Sequence, residues 1–322
     1  MLKAKKSTAL QYSFEKPKAP LTVRLKKEIA RNWILYLMLL PVVAYFIIFK
    51  YTPMYGITLA FKEFYAKKGI IGSPWIGLDN FERFLSAYNF KSLLWNTLRL
   101  SLYTLLIGFP IPIVFALFLN YLKSNKLRKV VQMVSYAPHF ISTVVICSMI
   151  AIFMSNNNGI INVMLEMIGL EPVDFLGTKK YFSHIYAWSG VWQNMGWNAI
   201  IYISALAGVD QQMHEAAIID GATKLQRMWY IDLPSIKSTI VMLLIMRMGN
   251  IMDVGFEKVY LLQNPLNKEV SNILSTYVYE VGLLNSDYGY STAVSLFNTV
   301  INIILLVLAN TVSKKLFDES LV

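Results

Sequence analysis

Charge is what this sequence has least of for its length. Only 15% of its 322 residues are Asp, Glu, Lys or Arg, against 56% hydrophobic, where a soluble chain carries about 25% charged residues. That deficit excludes the pair of soluble domains that length alone would suggest. The shortage is also uneven: residues 33–49 contain no Asp, Glu, Lys or Arg, while residues 3–31 are strongly basic. Cysteine is nearly absent. A single Cys147 excludes an internal disulfide framework, and three dispersed histidines, His139, His184 and His214, supply neither a Cys/His metal set nor a recognisable catalytic constellation. No G-x4-G-K-[ST] phosphate loop occurs, so any ATP hydrolysis would fall to another protein.

What is present is apolar length. A hydrocarbon core of about 30 Å needs roughly 20 apolar residues of helix, and six runs meet that demand: 34–50, 93–120, 130–154, 183–207, 236–261 and 291–313. The expected fold is an all-α membrane protein with six transmembrane helices. The first run is read as a true span and not a cleaved leader, because about thirty residues precede it and no small-x-small site follows. Eighteen Lys and Arg fall in segments 1–33, 121–129, 208–237 and 314–322, against eight in the alternate loops. By the positive-inside rule both termini are then cytoplasmic. Most of the net +11 is thus an orientation signal, and no nucleic-acid partner is expected.

The expected organisation is a basic tail over 1–32, the first span and an outer loop over 33–92, a permeation core over 93–313, and a short cytoplasmic tail over 314–322. Within the first tail, residues 23–30 could form a basic helix on the lipid surface or serve only as a topogenic charge cluster. The loop at 51–92, with Gly69, Gly72, Pro74, Trp75, Gly77, Phe81 and Phe84, reads as a folded cap. No internal repeat supports an inverted-repeat transporter plan.

Between the fourth and fifth runs, in the loop 209–235, the chain reads Glu215-Ala216-Ala217, then Ile218-Ile219-Asp220-Gly221, and later Ile231-Asp232-Leu233-Pro234. This fits EAA-x3-G-x9-I-x-LP at all seven fixed positions. Small residues allow close approach of a partner, Gly221 permits a sharp turn between two short helices, and Pro234 opens the next segment without needing a donor. The alternative is a helix-turn-helix packed on its own bundle.

Here the chain resembles the permease subunits of type I ATP-binding-cassette importers. Further segments resemble sugar permeases of the maltose type: Lys50-Tyr51-Thr52-Pro53, Trp75-Ile76-Gly77-Leu78-Asp79-Asn80-Phe81, Tyr136-Ala137-Pro138-His139-Phe140 and Asp287-Tyr288-Gly289-Tyr290. Within that group the chain is similar to permeases for polysaccharide fragments such as rhamnogalacturonan or alginate oligosaccharides. The resemblance implies a cytoplasmic coupling helix that docks into an ATPase subunit, with Glu215, Ala216, Ala217, Asp220, Gly221, Ile231, Leu233 and Pro234 as the coupling set. It implies a second homologous permease, two ATPase subunits that use ATP and Mg, an extracytoplasmic solute-binding protein, and the bacterial cytoplasmic membrane as location. The chain itself is expected to bind no cofactor or metal and to catalyse nothing. One departure is Gln263-Asn264-Pro265-Leu266-Asn267, where many sugar permeases have Thr-x-Gly-Gly-Pro.

Polar groups inside a membrane are costly, and usually face a cavity or the bundle interior. In the fifth run Arg247, Asn250, Asp253 and Glu257 recur at helical spacing, and in the fourth Gln193, Asn194, Trp197 and Asn198 share a face, near the depth of Arg247. The expectation is a midplane sugar pocket of amides and aromatic surface, or else amides that hydrogen-bond between helices. Arg247, with no acid at i±3 or i±4, could engage a uronate carboxylate or pair with another span. Arg99, on a polar face with Asn96 and Tyr103, is expected to be a second attraction point nearer the outside.

Overall fold

The computed structural model describes residues 30–317. Most of the basic helix considered for 23–30, and the last five residues of the tail, lie outside the described residues. Two compact units divide at Gly56. The first contains α1 (Trp33–Phe46) and a following π turn, Ile47–Tyr51. No residue of α1 is buried, and Leu35 and Met38 are 64% and 70% exposed. Such an unbroken apolar exterior is unstable in water and natural against lipid.

The second unit carries α2 (Asp79–Leu85), α3 (Phe90–Gly108), α4 (Pro110–Asn120), α5 (Asn125–Tyr136), α6 (Thr143–Phe153), α7 (Ile160–Met167), α8 (Lys179–Leu206), α9 (Gln211–Ile219), α10 (Lys237–Met248), α11 (Phe256–Leu262) and α12 (Tyr288–Phe317). The central member is α8, packed along α3 and α4. Near its start, Phe182, Ile185 and Tyr186 join Leu100, Cys147, Val259 and Ile273 in one apolar cluster. Near its end, Ala199, Tyr202 and Leu206 join Ile113, Ala116, Leu117, Met228 and Ile236 in another. The amides of α8, Gln193, Asn194 and Asn198, lie in the interval between the two.

Among the described residues three stretches are long and apolar enough to cross a bilayer, Trp33–Phe61, Phe90–Asn120 and Tyr288–Lys315; two bent pairs raise the number to five. By length and apolarity the described residues thus supply three to five crossings, against the six expected. The third run, 130–154, breaks by 97° between Asn125–Phe140 and Thr143–Phe153. Pro138 lacks a donor there, and Ser142 starts α6 afresh by accepting the Val145 N–H at 3.4 Å. The fifth run, 236–261, ends as helix at Met248 and resumes only at Phe256. Arg247, Asn250, Asp253 and Glu257 are thus not one face of one helix. In the break Asn302 of α12 takes over the helix's work: its Oδ1 accepts the Met252 N–H at 2.9 Å. The fourth run is one helix of 28 residues, α8, about 42 Å long, which Gln193, Asn194 and Asn198 make less apolar than a lipid-facing span.

From Ile57 onward the loop before α3 is folded. Lys62 bridges Trp75, buried Asn80 donates to the Ala60 carbonyl at 3.0 Å, and fully buried Phe84 packs edge-on to Phe90 and Phe297.

Candidate functional site

The loop carrying the seven-position motif is built by local rules. Asp210 caps α9, accepting the Gln212 N–H at 2.9 Å. At the other end Gly221 sits at φ +78°; its N–H reaches the Ile218 carbonyl at 3.0 Å, and the Ala222 N–H reaches that of Ala217 at 2.8 Å. That pair of bonds is a Schellman stop, and the left-handed position requires glycine. Thr223 and Gln226 then form a capping box for Lys224–Arg227. A π turn, Met228–Asp232, leads through Leu233–Ser235, with Pro234 in its first turn, to α10 after a 60° bend.

Glu215, Ala216, Asp220, Gly221 and Pro234 are exposed, and Ala217, Ile231 and Leu233 are half-buried. No residue of α9 is buried, contrary to a helix-turn-helix packed on its own bundle. Ile219, Leu225, Trp229 and Tyr230 stand 60–86% exposed around it. An apolar patch of this kind is the sort of surface that a protein partner or lipid covers.

A cavity of about 450 Å³ lies against the polar interval of α8. Its lining includes Gln193, Asn194, Asn198, Arg247, Asn250 and Asp253, and also Glu257 and Lys258. The interrupted fifth run thus brings together what a continuous helix was expected to align, because the 249–255 break and α11 both turn inward. Trp197 lies outside this cavity and lines an adjoining one of about 530 Å³ that shares Asn198, Arg247 and Asn250. One face of its ring is covered by His139, stacked at 4.3 Å between centroids.

Several polar groups are engaged within the protein. Asn194 Oδ1 lies 2.9 Å from His139 Nδ1, and Gln193 donates to the Ile141 carbonyl at 3.1 Å, so both amides hold the bend between α5 and α6. Asp253 accepts from Asn298 at 2.9 Å and Asn302 at 3.2 Å. Arg247 has no ion pair among the described residues.

Arg99 does not join the cavity. It is half-buried and donates to the Val270 carbonyl at 3.4 Å, while Asn96 ties down the Glu269 and Asn272 carbonyls and Tyr103 meets His184 Nδ1 at 2.6 Å. The polar face of α3 thus pins the 269–272 segment and α8. The departing 263–267 turn has a similar role: buried Asn267 donates to the Leu176 and Leu262 carbonyls.

Lys258 is the residue that sequence reasoning passed over. It is 8% exposed, donates to the Tyr186 carbonyl at 3.1 Å, lies over that ring at 5.2 Å and faces the cavity. It lies close to α8 at Gly190, where an added Cβ would make ordinary contact with Lys258 Nζ at 3.5 Å. Its signal was a lysine inside an apolar run, the same rule that drew attention to Arg247. Among the described residues no group of His, Cys, Asp and Glu could hold a metal.

Residues 108–318 match the family described as binding-protein-dependent transport system inner membrane component. The chain is 43% identical over 298 residues to the polygalacturonan/rhamnogalacturonan transport system permease protein YteP of Bacillus subtilis (strain 168), covering 92% of this chain and 93% of that one. It is 42% identical to protein LplB of the same organism, over 89% and 90% of the two chains. Among solved structures, a chain of a bacterial ABC transporter involved in the import of the acidic polysaccharide alginate superposes with a TM-score of 0.85 at 40% identity, covering 91% of this chain and 99% of that one. A second structure of an alginate ABC transporter, in complex with an alginate pentasaccharide-bound periplasmic protein, gives 0.85 at 38% over 92% and 100%. By the match over 108–318 and these long, close similarities, the chain belongs to the inner-membrane permease components of binding-protein-dependent transport systems.

Proposed function

We propose that this permease moves an acidic, uronate-containing oligosaccharide inward by alternating access. The observation that carries this reading is the cavity beside α8, where Arg247 has no carboxylate partner among the described residues and buried Lys258 spends one of its three donors on a carbonyl. A guanidinium fork and an ammonium suit uronate carboxylates, and Asn198 and Asn250 offer amides to hydroxyls. The printed substrates of the relatives, rhamnogalacturonan and alginate, point the same way.

In this account the pathway is completed by a second, homologous permease. Two ATPase subunits hydrolyse ATP with Mg, and an extracytoplasmic binding protein delivers the sugar to the surfaces around 57–92 and 262–290. The α9 loop, with Glu215, Asp220 and the exposed apolar side chains around them, seats in an ATPase cleft on the cytoplasmic side. Six spans, with both termini on one side, follow if α5–α6 and the α10–α11 region each count as one broken crossing and α8 as a complete one, and the cation bias makes that side cytoplasmic. An ion-coupled carrier would have no use for the seven-position loop.

A neutral oligosaccharide is the second reading, favoured by Asp253 and Glu257, which offset the two cations formally in the same cavity. The Asn298 and Asn302 amides already hold Asp253, which lessens its opposition. Uptake by the reconstituted transporter carrying Arg247→Gln separates the two. The acidic reading expects about tenfold or greater loss for an oligouronide, the scale of one charge-assisted hydrogen bond, with neutral oligosaccharides little affected. Equal losses for both would remove the carboxylate assignment.

A further inference from the structure

The docking helix α9 is loosely held. No residue of it is buried, and among the described residues one ion-pair contact runs from it to a distant part of the chain: His214 Nε2 stands 3.2 Å from Asp232 Oδ1, an oxygen that accepts no hydrogen bond. That carboxylate is 0% exposed and lies at the end of the π turn Met228–Asp232, a geometry often found at functional positions. Its other oxygen, Oδ2, accepts the Tyr121 hydroxyl at 2.5 Å. Tyr121 is the residue that ends α4, and the Arg227 guanidinium lies 5.7 Å from its ring centroid. Burial, followed by the Asp232 bond and charge, pushes the Tyr121 pKa upward against the opposing pull of Arg227. The phenol therefore stays protonated and remains the donor.

A buried carboxylate is costly unless paired and hydrogen-bonded. Asp232 has no Lys or Arg ion pair among the described residues, and His214 is its one ionisable nitrogen partner. Among the described residues Tyr121 is the carboxylate's one side-chain hydrogen-bond donor, and His214 lies beside the other oxygen at ion-pair distance without a hydrogen bond to it. The three side chains come from three elements that must move in concert if α9 transmits force: the docking helix, the end of α4, and the turn that feeds α10. Asp232 also occupies the unspecified position of I-x-LP, so the seven-position motif does not predict it.

We propose that the His214–Asp232–Tyr121 link is the tie through which displacement of α9 is passed to α4 and α10. This rests on the reading of α9 as the ATPase-docking helix. None of the three touches substrate or nucleotide; they are positioning residues, and their loss slackens the transmission without emptying the docking surface.

The test uses the whole complex, with both permeases, the ATPase subunits and the binding protein, in proteoliposomes. Tyr121→Phe, Asp232→Asn and the double variant are compared for retained ATPase subunit, basal ATP hydrolysis, and stimulation by ligand-loaded binding protein. Each single variant is expected to keep the ATPase subunit and basal rate and to lose stimulation by about tenfold, as for one lost charge-assisted hydrogen bond. The double variant is expected to lose no more than either single, because the residues act as a unit. His214→Gln, which keeps an N–H near the Nε2 position, should retain most of the stimulation that His214→Ala loses. Unchanged stimulation in both single variants, losses that multiply in the double, or losses that track missing ATPase subunit would each overturn the tie. The wild-type complex separates the two claims: if it is not stimulated by its loaded binding protein, the transport reading itself fails, whereas a stimulated wild type with equally stimulated variants contradicts only the tie.

Discussion

At the scale of single residues, the cavity owes its character to side chains that the protein leaves partly unused. Lys258 is the sharpest case, buried yet donating to one backbone carbonyl and otherwise facing open volume. Lys258→Gln should therefore weaken oligouronide uptake by about tenfold while the folded protein survives, since an amide can still donate to the Tyr186 carbonyl. Normal acidic-substrate uptake in that variant would place the ammonium outside recognition. Close packing gives a contrasting prediction at two glycines, Gly196 of α8 and Gly108 of α3. A Cβ at Gly196 would strike the Ser135 carbonyl, whereas one at Gly108 would meet nothing within 4 Å. Gly196→Ala is expected to cost about 1–3 kcal/mol through overpacking and Gly108→Ala close to nothing, measured as thermal unfolding of the detergent-purified chain. Equal melting temperatures for the two would contradict the α5–α8 contact.

At the scale of elements, the loop 209–235 was legible because it is local. Its glycine stop, its proline and its small residues obey rules that operate within a few positions, and all three are found as the spacing implied. Gly221→Asp tests that element: the left-handed φ costs a β-carbon residue about 1–2 kcal/mol, and the carboxylate adds bulk on the docking face. The variant should reach the membrane but lose substrate-stimulated ATP hydrolysis, and normal stimulation would refute the docking role.

The broken spans were not legible from apolar length. Residues 130–154 and 236–261 are long enough to cross straight, and their interruptions depend on partners far away in sequence, such as Asn302 accepting the Met252 N–H. A hydropathy count cannot register a hydrogen bond from another helix. For the same reason the sequence alone suggests Arg99 as an attraction point for substrate, whereas in the structure it serves the carbonyl of Val270, 171 positions away. Gln193 and Asn194 were correctly drawn to one face, but which of their groups are already satisfied became visible only with the α5–α6 bend in place.

At the scale of the whole molecule, the exposed apolar flanks of α1 and of α12 suit a bilayer, and the excess of cations on alternate loops predicts which way the chain faces. The orientation can be read chemically because the single natural thiol, Cys147, is buried. In a Cys147→Ser background, an impermeant maleimide should label Tyr88→Cys, at a position 98% exposed, in intact spheroplasts, and Lys224→Cys only after permeabilisation. The reverse pattern would invert the topology and put α9 on the wrong side for an ATPase. The central claim, that this chain is the pathway of an ATP-driven importer, is tested most directly by uptake into proteoliposomes holding the complete complex. The account predicts that a radiolabelled oligouronide accumulates only when ATP is present on the ATPase side and loaded binding protein on the other. Accumulation driven by an ion gradient in the absence of ATP would contradict it.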